Sequence, residues 1–155
     1  MSEARQVDDS NYEGPDRLRL KIPIGKSAVI RCVGKPIAFD DVFEDKESGE
    51  KTKKEQYARI VIVRGASEDP VKGYKYGWQV FKQLRALAQK ATWGDLTGYD
   101  VEIENTGTLP DYWKVTPVEK SPLTQAERDM VLAANTDLGV LFLGKKKEDD
   151  DPYAD

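Results

Sequence analysis

The stretch DPVKGYKYGW, residues 69–78, interleaves Lys72 and Lys75 with Tyr74, Tyr76 and Trp78 around two glycines. Aromatic faces can stack on bases while ammonium groups sit near phosphates, and each stacked base contributes roughly 1–3 kcal/mol. Basic and aromatic residues at this spacing therefore suit a single nucleic-acid strand held without base readout. A second set has the same chemistry: Arg31, Tyr57, Arg59, Tyr112 and Lys114 alternate with apolar residues and are expected to point outward. For Arg31, Arg59 and Lys114 an ordinary solvated charge or a cross-strand pair is equally open. Trp78 opens an apolar helix face and is expected in the core, as are Trp93 and Trp113. The lysines of KTKKE (Lys51, Lys53, Lys54) form either a soluble loop tip or a loop that closes over a bound strand.

Several chemistries are excluded by residue type. The chain has 155 residues, no histidine and one cysteine, so zinc fingers, Cys/His nucleophile pairs and Ser-His-Asp triads are absent. Cys32 lies in an apolar stretch and reads as a buried, inert thiol. A metal-dependent nuclease would need clustered carboxylates, and those present are scattered or lie at the chain end. No enzyme, cofactor or metal site is expected.

The elements that would position these residues follow from periodicity. RLRLKIPI alternates, with Leu18, Leu20 and Ile22 on one side, and predicts a first strand. KSAVIRCVGKPIAF predicts a second, bent or bulged at Gly34 and Pro36. The charged EDKESGEKTKKE reads as a hairpin loop, and QYARIVIVRG as a third strand with Ala58, Ile60 and Ile62 inward. From Trp78 to Ala91 apolar residues recur at spacings of three and four, an amphipathic helix. YDVEIENTG and DYWKVTPV form a closing hairpin, with Tyr99, Val101 and Ile103 inward. LTQAERDMVLAANT adds a second helix, with Thr124 and Glu127 placed as a capping box. This order predicts a mainly β fold: an OB-fold-like five-stranded Greek-key barrel with a helix between strands 3 and 4 and an appended C-terminal helix.

The formal net charge of −4 is unevenly distributed. Residues 1–16 carry one Arg against five acids, and residues 144–155 carry three Lys against five acids. Residues 17–143 retain 20 Lys and Arg against 18 acids, a net charge of +2 that permits an anionic ligand. The chain thus divides into an acidic N-terminal segment (1–16), a folded domain (17–143) and an acidic C-terminal tail (144–155). The tail holds Glu148, Asp149, Asp150, Asp151, Tyr153 and Asp155 and has no apolar period that would fold it. The start lacks a basic and apolar leader, and no apolar run reaches the roughly 18 residues of a membrane span, so a cytoplasmic protein is expected.

Four stretches, RCVGKPIAF, YGWQVFKQLRALAQKATWGD, GYDVEIENTGTLPDYWKVTPV and KSPLTQAE, resemble the single-stranded DNA-binding proteins of tailed bacteriophages. The resemblance spans about residues 18 to 128, and the GYDV…YWKVTP hairpin is its most specific part. It implies a non-enzymatic protein that binds single-stranded DNA in replication or recombination. It also implies that the acidic tail competes with DNA in cis and recruits phage or host replication proteins. A tail that only aids solubility, and a protein-interaction module without nucleic-acid binding, are the alternatives.

Overall fold

The structure is a computed structural model that describes residues 17–66, 68–108 and 112–143. The segment 1–16 and the tail 144–155 lie outside the described residues. Six strands form one mixed sheet curled into a half-barrel: β1 (Arg19–Leu20), β2 (Ser27–Glu44), β3 (Lys51–Val63), β4 (Val71–Tyr76), β5 (Tyr99–Asn105) and β6 (Trp113–Lys120). Their order is β1-β4-β3-β2-β5-β6, antiparallel except for the short β1–β4 pair. Helix α1 (Trp78–Gln89) connects β4 to β5, and α2 (Gln125–Ala134) and α3 (Leu138–Phe142) follow β6.

The long β2 and β3 pair along most of their length. The register slips between Val33 and Ile37, at the bulge that Gly34 and Pro36 foretell, and Gly34 takes a φ of +72°. Beyond Phe39 the two strands continue as a two-stranded arm, so half of the charged stretch read as a loop is strand, with the tip at residues 45–50. The β5–β6 hairpin and the inward set Tyr99, Val101 and Ile103 are as expected, and all three side chains are buried.

Three expectations are corrected. The first strand shrinks to Arg19–Leu20, because Pro23 and the left-handed Gly25 turn the chain away. Residues 71–76, for which periodicity predicts no strand, form β4, so α1 lies between the fourth and fifth strands rather than the third and fourth. The glycine that suggested a loop has a packing cause: a Cβ on Gly73 would lie 2.7 Å from Leu141 Cδ1 and 2.9 Å from Phe142 Cε2 of α3. A strand glycine here lets another element approach closely.

The third correction inverts the phase of β3. Tyr57 and Val61 face the inner core with Ile30, Cys32, Tyr74 and Tyr76, closed by Val80, Leu84 and Leu87 of α1. Ile62 faces outward, into a smaller core with Val33 and Val71 under Leu123, Met130 and Val131. Both faces of β3 are covered, so each offers apolar residues and alternation no longer marks the inside.

Helix α2 is fastened by its capping box. Thr124 Oγ1 accepts from the Glu127 amide at 3.1 Å, and Glu127 Oε1 accepts from the Thr124 amide at 2.9 Å. Glu127 also pairs with Arg64, which bonds Asp100. The Thr124 amide, followed by Arg64, holds the Glu127 carboxyl below its ordinary 4.5. A carboxyl depressed in the folded state contributes stability above its unfolded pKa and loses it as pH falls through the folded value. Thermal melts below about pH 4.5 should therefore fall more steeply for the wild type than for Glu127→Gln. Parallel pH profiles for the two proteins would contradict this role.

Candidate nucleic-acid interface

A groove of about 560 Å³ opens where three elements meet: the base of the β2–β3 arm, the start of α1 and the start of β6. Lys54, Gln56 and Tyr57 come from β3, Gly77, Trp78 and Gln79 from the β4–α1 junction, and Tyr112 and Trp113 from the end of the hairpin. Trp78 is 51% exposed and Tyr112 40% exposed. The Trp78 ring leans on Phe81, with centroids 5.8 Å apart, and Phe81 stacks on Tyr57 at 4.0 Å. The Arg85 guanidinium lies 5.4 Å from the Trp78 centroid. The indole is thus braced by half-buried Phe81, itself stacked on buried Tyr57, and such preorganisation lowers the ordering cost of a ligand.

Lys54 and Glu55 both line the groove, with Glu55 accepting from the Tyr57 hydroxyl, so their formal charges offset and the positive bias comes from the helix end. Gly77 caps α1 without a side-chain hydrogen bond, and the first turn carries no acid. The partial positive charge of that terminus favours an anion. Along the arm, Lys51, Lys53 and Lys54 of β3 run beside Asp40, Asp41 and Glu44 of β2, and Lys54 Nζ lies 5.5 Å from the Phe43 centroid. Among the described residues no three His, Cys, Asp or Glu side chains cluster as a metal site would require.

The residues singled out from sequence separate sharply. Arg31 has no exposed surface: its Nε bonds Asp100 Oδ1 at 2.8 Å, its Nη1 Thr97 O at 3.2 Å and its Nη2 Ser121 Oγ at 2.8 Å. Arg59 is 9% exposed and donates to Gly34 O at 3.0 Å. Tyr57, Tyr74 and Tyr76 are buried in the inner core, where burial pushes the pKa of Tyr74 and Tyr76 upward. The Tyr57 hydroxyl donates to Glu55 Oε1 at 2.7 Å, which raises its pKa first of all. None of these five presents a free face or charge, which corrects the outward placement of Arg31, Tyr57 and Arg59 and the exposed stacking faces expected of Tyr74 and Tyr76.

Lys72 is half-buried, with Nζ donating to Arg17 O at 2.6 Å, and Lys75 pairs with Asp41 at 3.1 Å. Tyr112 and Lys114 are exposed as expected, and Tyr112 lines the groove. The tail residues Glu148, Asp149, Asp150, Asp151, Tyr153 and Asp155 lie outside the described residues. Cys32 is buried, and burial pushes its thiol up to about 11, so it stays protonated at neutral pH.

Sequence patterning misses Trp78, Gln79 and Gln56 as groove residues and leaves Lys54 open between a soluble tip and a closing loop; for Trp78 a signal exists. At about 100° per residue, Trp78 falls on the side of α1 opposite Val80, Leu84 and Leu87. Its hydrophobicity pointed inward while its phase pointed out.

No helix of the described residues is long and apolar enough to cross a membrane. In comparisons with known proteins the chain matches no family model, no curated protein and no solved structure.

Proposed function

We propose that the protein binds single-stranded DNA without sequence preference and serves phage DNA replication or recombination, with no catalytic activity of its own. The observation that carries this reading is the groove: exposed Trp78 and Tyr112 line it together with Lys54, Glu55 and a helix terminus whose first turn carries no acid. Stacking surface beside positive charge is what a strand needs when the protein reads no base edges.

The strand order supports an OB-type barrel as the scaffold. With the two-residue β1 set aside, β2–β3–β4 form a meander, α1 follows, and β5–β6 close as a hairpin beside β2. In such barrels the face of the second and third strands and the first and last hairpin loops bind oligonucleotides. The groove takes Lys54 and Gln56 from the second of these five strands and Tyr112 from the last loop.

Binding of labelled oligo-dT at several salt concentrations tests the reading. Affinity should fall with salt, with a log–log slope of about −0.7 per phosphate neutralised. No saturable binding even at low salt would overturn it and favour a protein-docking module, for which Val42 and Phe43, exposed on the arm, are the supporting feature.

The acidic tail is proposed as a competitor of DNA and a docking peptide for replication proteins. The last helix, α3, ends beside Arg19, Lys21 and Lys75, within reach of which a tethered polyanion has a high effective concentration. Removing residues 144–155 should tighten DNA binding, most at low salt, where screening is weakest. Equal affinities of full-length and truncated protein at low and high salt would reject the competitor role.

A further inference from the structure

A second cavity, of about 480 Å³, lies between the β1–β4 edge of the sheet and the start of β6. Among its walls are Arg19, Lys21, Tyr74, Lys75, Trp113 and Phe142. Trp113 also lines the first groove, so the two depressions are neighbours across one indole. We infer that this cavity is a second nucleotide subsite, and that a single DNA strand passes from the Trp78 groove over Trp113 into it. The inference rests on the proposed single-stranded DNA binding and names where the strand goes next.

Two observations carry it. The first is charge: Arg19, Lys21 and Lys75 all line it, and no acidic side chain does among the described residues. Arg19 is already held in place, its Nε and Nη2 donating to Leu141 O at 3.0 and 2.6 Å. Lys75 pairs with the Asp41 carboxylate on a surface open to solvent, a partner that phosphate can replace. The second is aromatic surface, with Trp113 on one side and Phe142 on the other, the latter 5.8 Å below the Arg19 guanidinium.

The test uses two oligo-dT lengths, about 4 and about 12 nucleotides, the range of site sizes on one such barrel. The shorter should be held by the Trp78 groove alone, and the longer should also reach the second cavity. Lys21→Ala should bind the shorter oligonucleotide like the wild type. It should bind the longer one several-fold more weakly, with a salt slope shallower by about 0.7.

Losses equal at both lengths, or absent at both, would overturn the second subsite while leaving the Trp78 groove standing. Failure of the wild type to bind either length would remove the proposed function and the subsite together.

Discussion

Arg31→Ala is expected to destabilise the domain by about 3 kcal/mol, the lower end of what breaking a buried ion pair costs. The guanidinium has no exposed surface and spends three donors on Asp100, Thr97 and Ser121, tying β2 to β5 and to the segment leading into α2. Its loss leaves the Thr97 carbonyl and the Ser121 hydroxyl unpaired and opens a cavity. Asp100 retains Arg64, which keeps the effect from the upper end of the range. For a domain of this size the melting temperature should drop by roughly 10 °C. Lysine should rescue only in part, since it cannot supply a planar fork of donors. A phosphate-binding Arg31 would behave oppositely, with a wild-type melt and weaker DNA binding, and that pair of results would contradict its structural role.

Trp78→Ala should leave the fold intact and weaken oligo-dT binding by roughly 1–3 kcal/mol, a loss of about 5- to 150-fold. The indole is 51% exposed and sits on Phe81 rather than inside the core. Trp78→Phe should retain part of the affinity, because a smaller π-face still stacks. Arg85→Ala should cost less, of order 0.5–1 kcal/mol, since it braces the ring through a cation–π contact. Titration of the three variants beside thermal melts checks this. Trp78→Ala that melts like the wild type and binds with unchanged affinity would remove the indole from the interface.

Sequence patterning reads the β5–β6 hairpin, α1, the bulge at Gly34 and the capping box of α2 correctly, because each depends on local chemistry: alternation, a helical period, a left-handed glycine, a Thr–Glu pair. It fails where tertiary packing overrides the local signal. Residues Tyr57 to Val63 are apolar or buried on both faces because α2 and α3 cover the outside of the sheet, so the strand phase is ambiguous. Gly73 looks like a loop glycine until Leu141 and Phe142 are known to sit against it. Arg31 has an outward phase and is nonetheless buried, since residue type does not announce the partners Asp100 and Ser121 contributed by distant segments.

The candidate site is legible in kind but not in membership. Basic and aromatic residues do gather around β4 and α1, yet the tyrosines of β4 turn inward, and exposed Trp78 rests on Phe81, which stacks on Tyr57 of β3. The helical phase of Trp78 carried the information, and its hydrophobicity masked it.

The central claim is that a single DNA strand lies on the groove at the start of α1. The chain has three tryptophans, and each gives its own indole N–H resonance in a 15N-correlated spectrum. Trp78 and Trp113 line the groove, whereas Trp93 packs against Tyr99 with centroids 4.9 Å apart. On titration with oligo-dT, the Trp78 and Trp113 indole signals should shift in a saturable manner while that of Trp93 stays in place. Unmoved Trp78 and Trp113 signals at saturating oligo-dT would contradict the account.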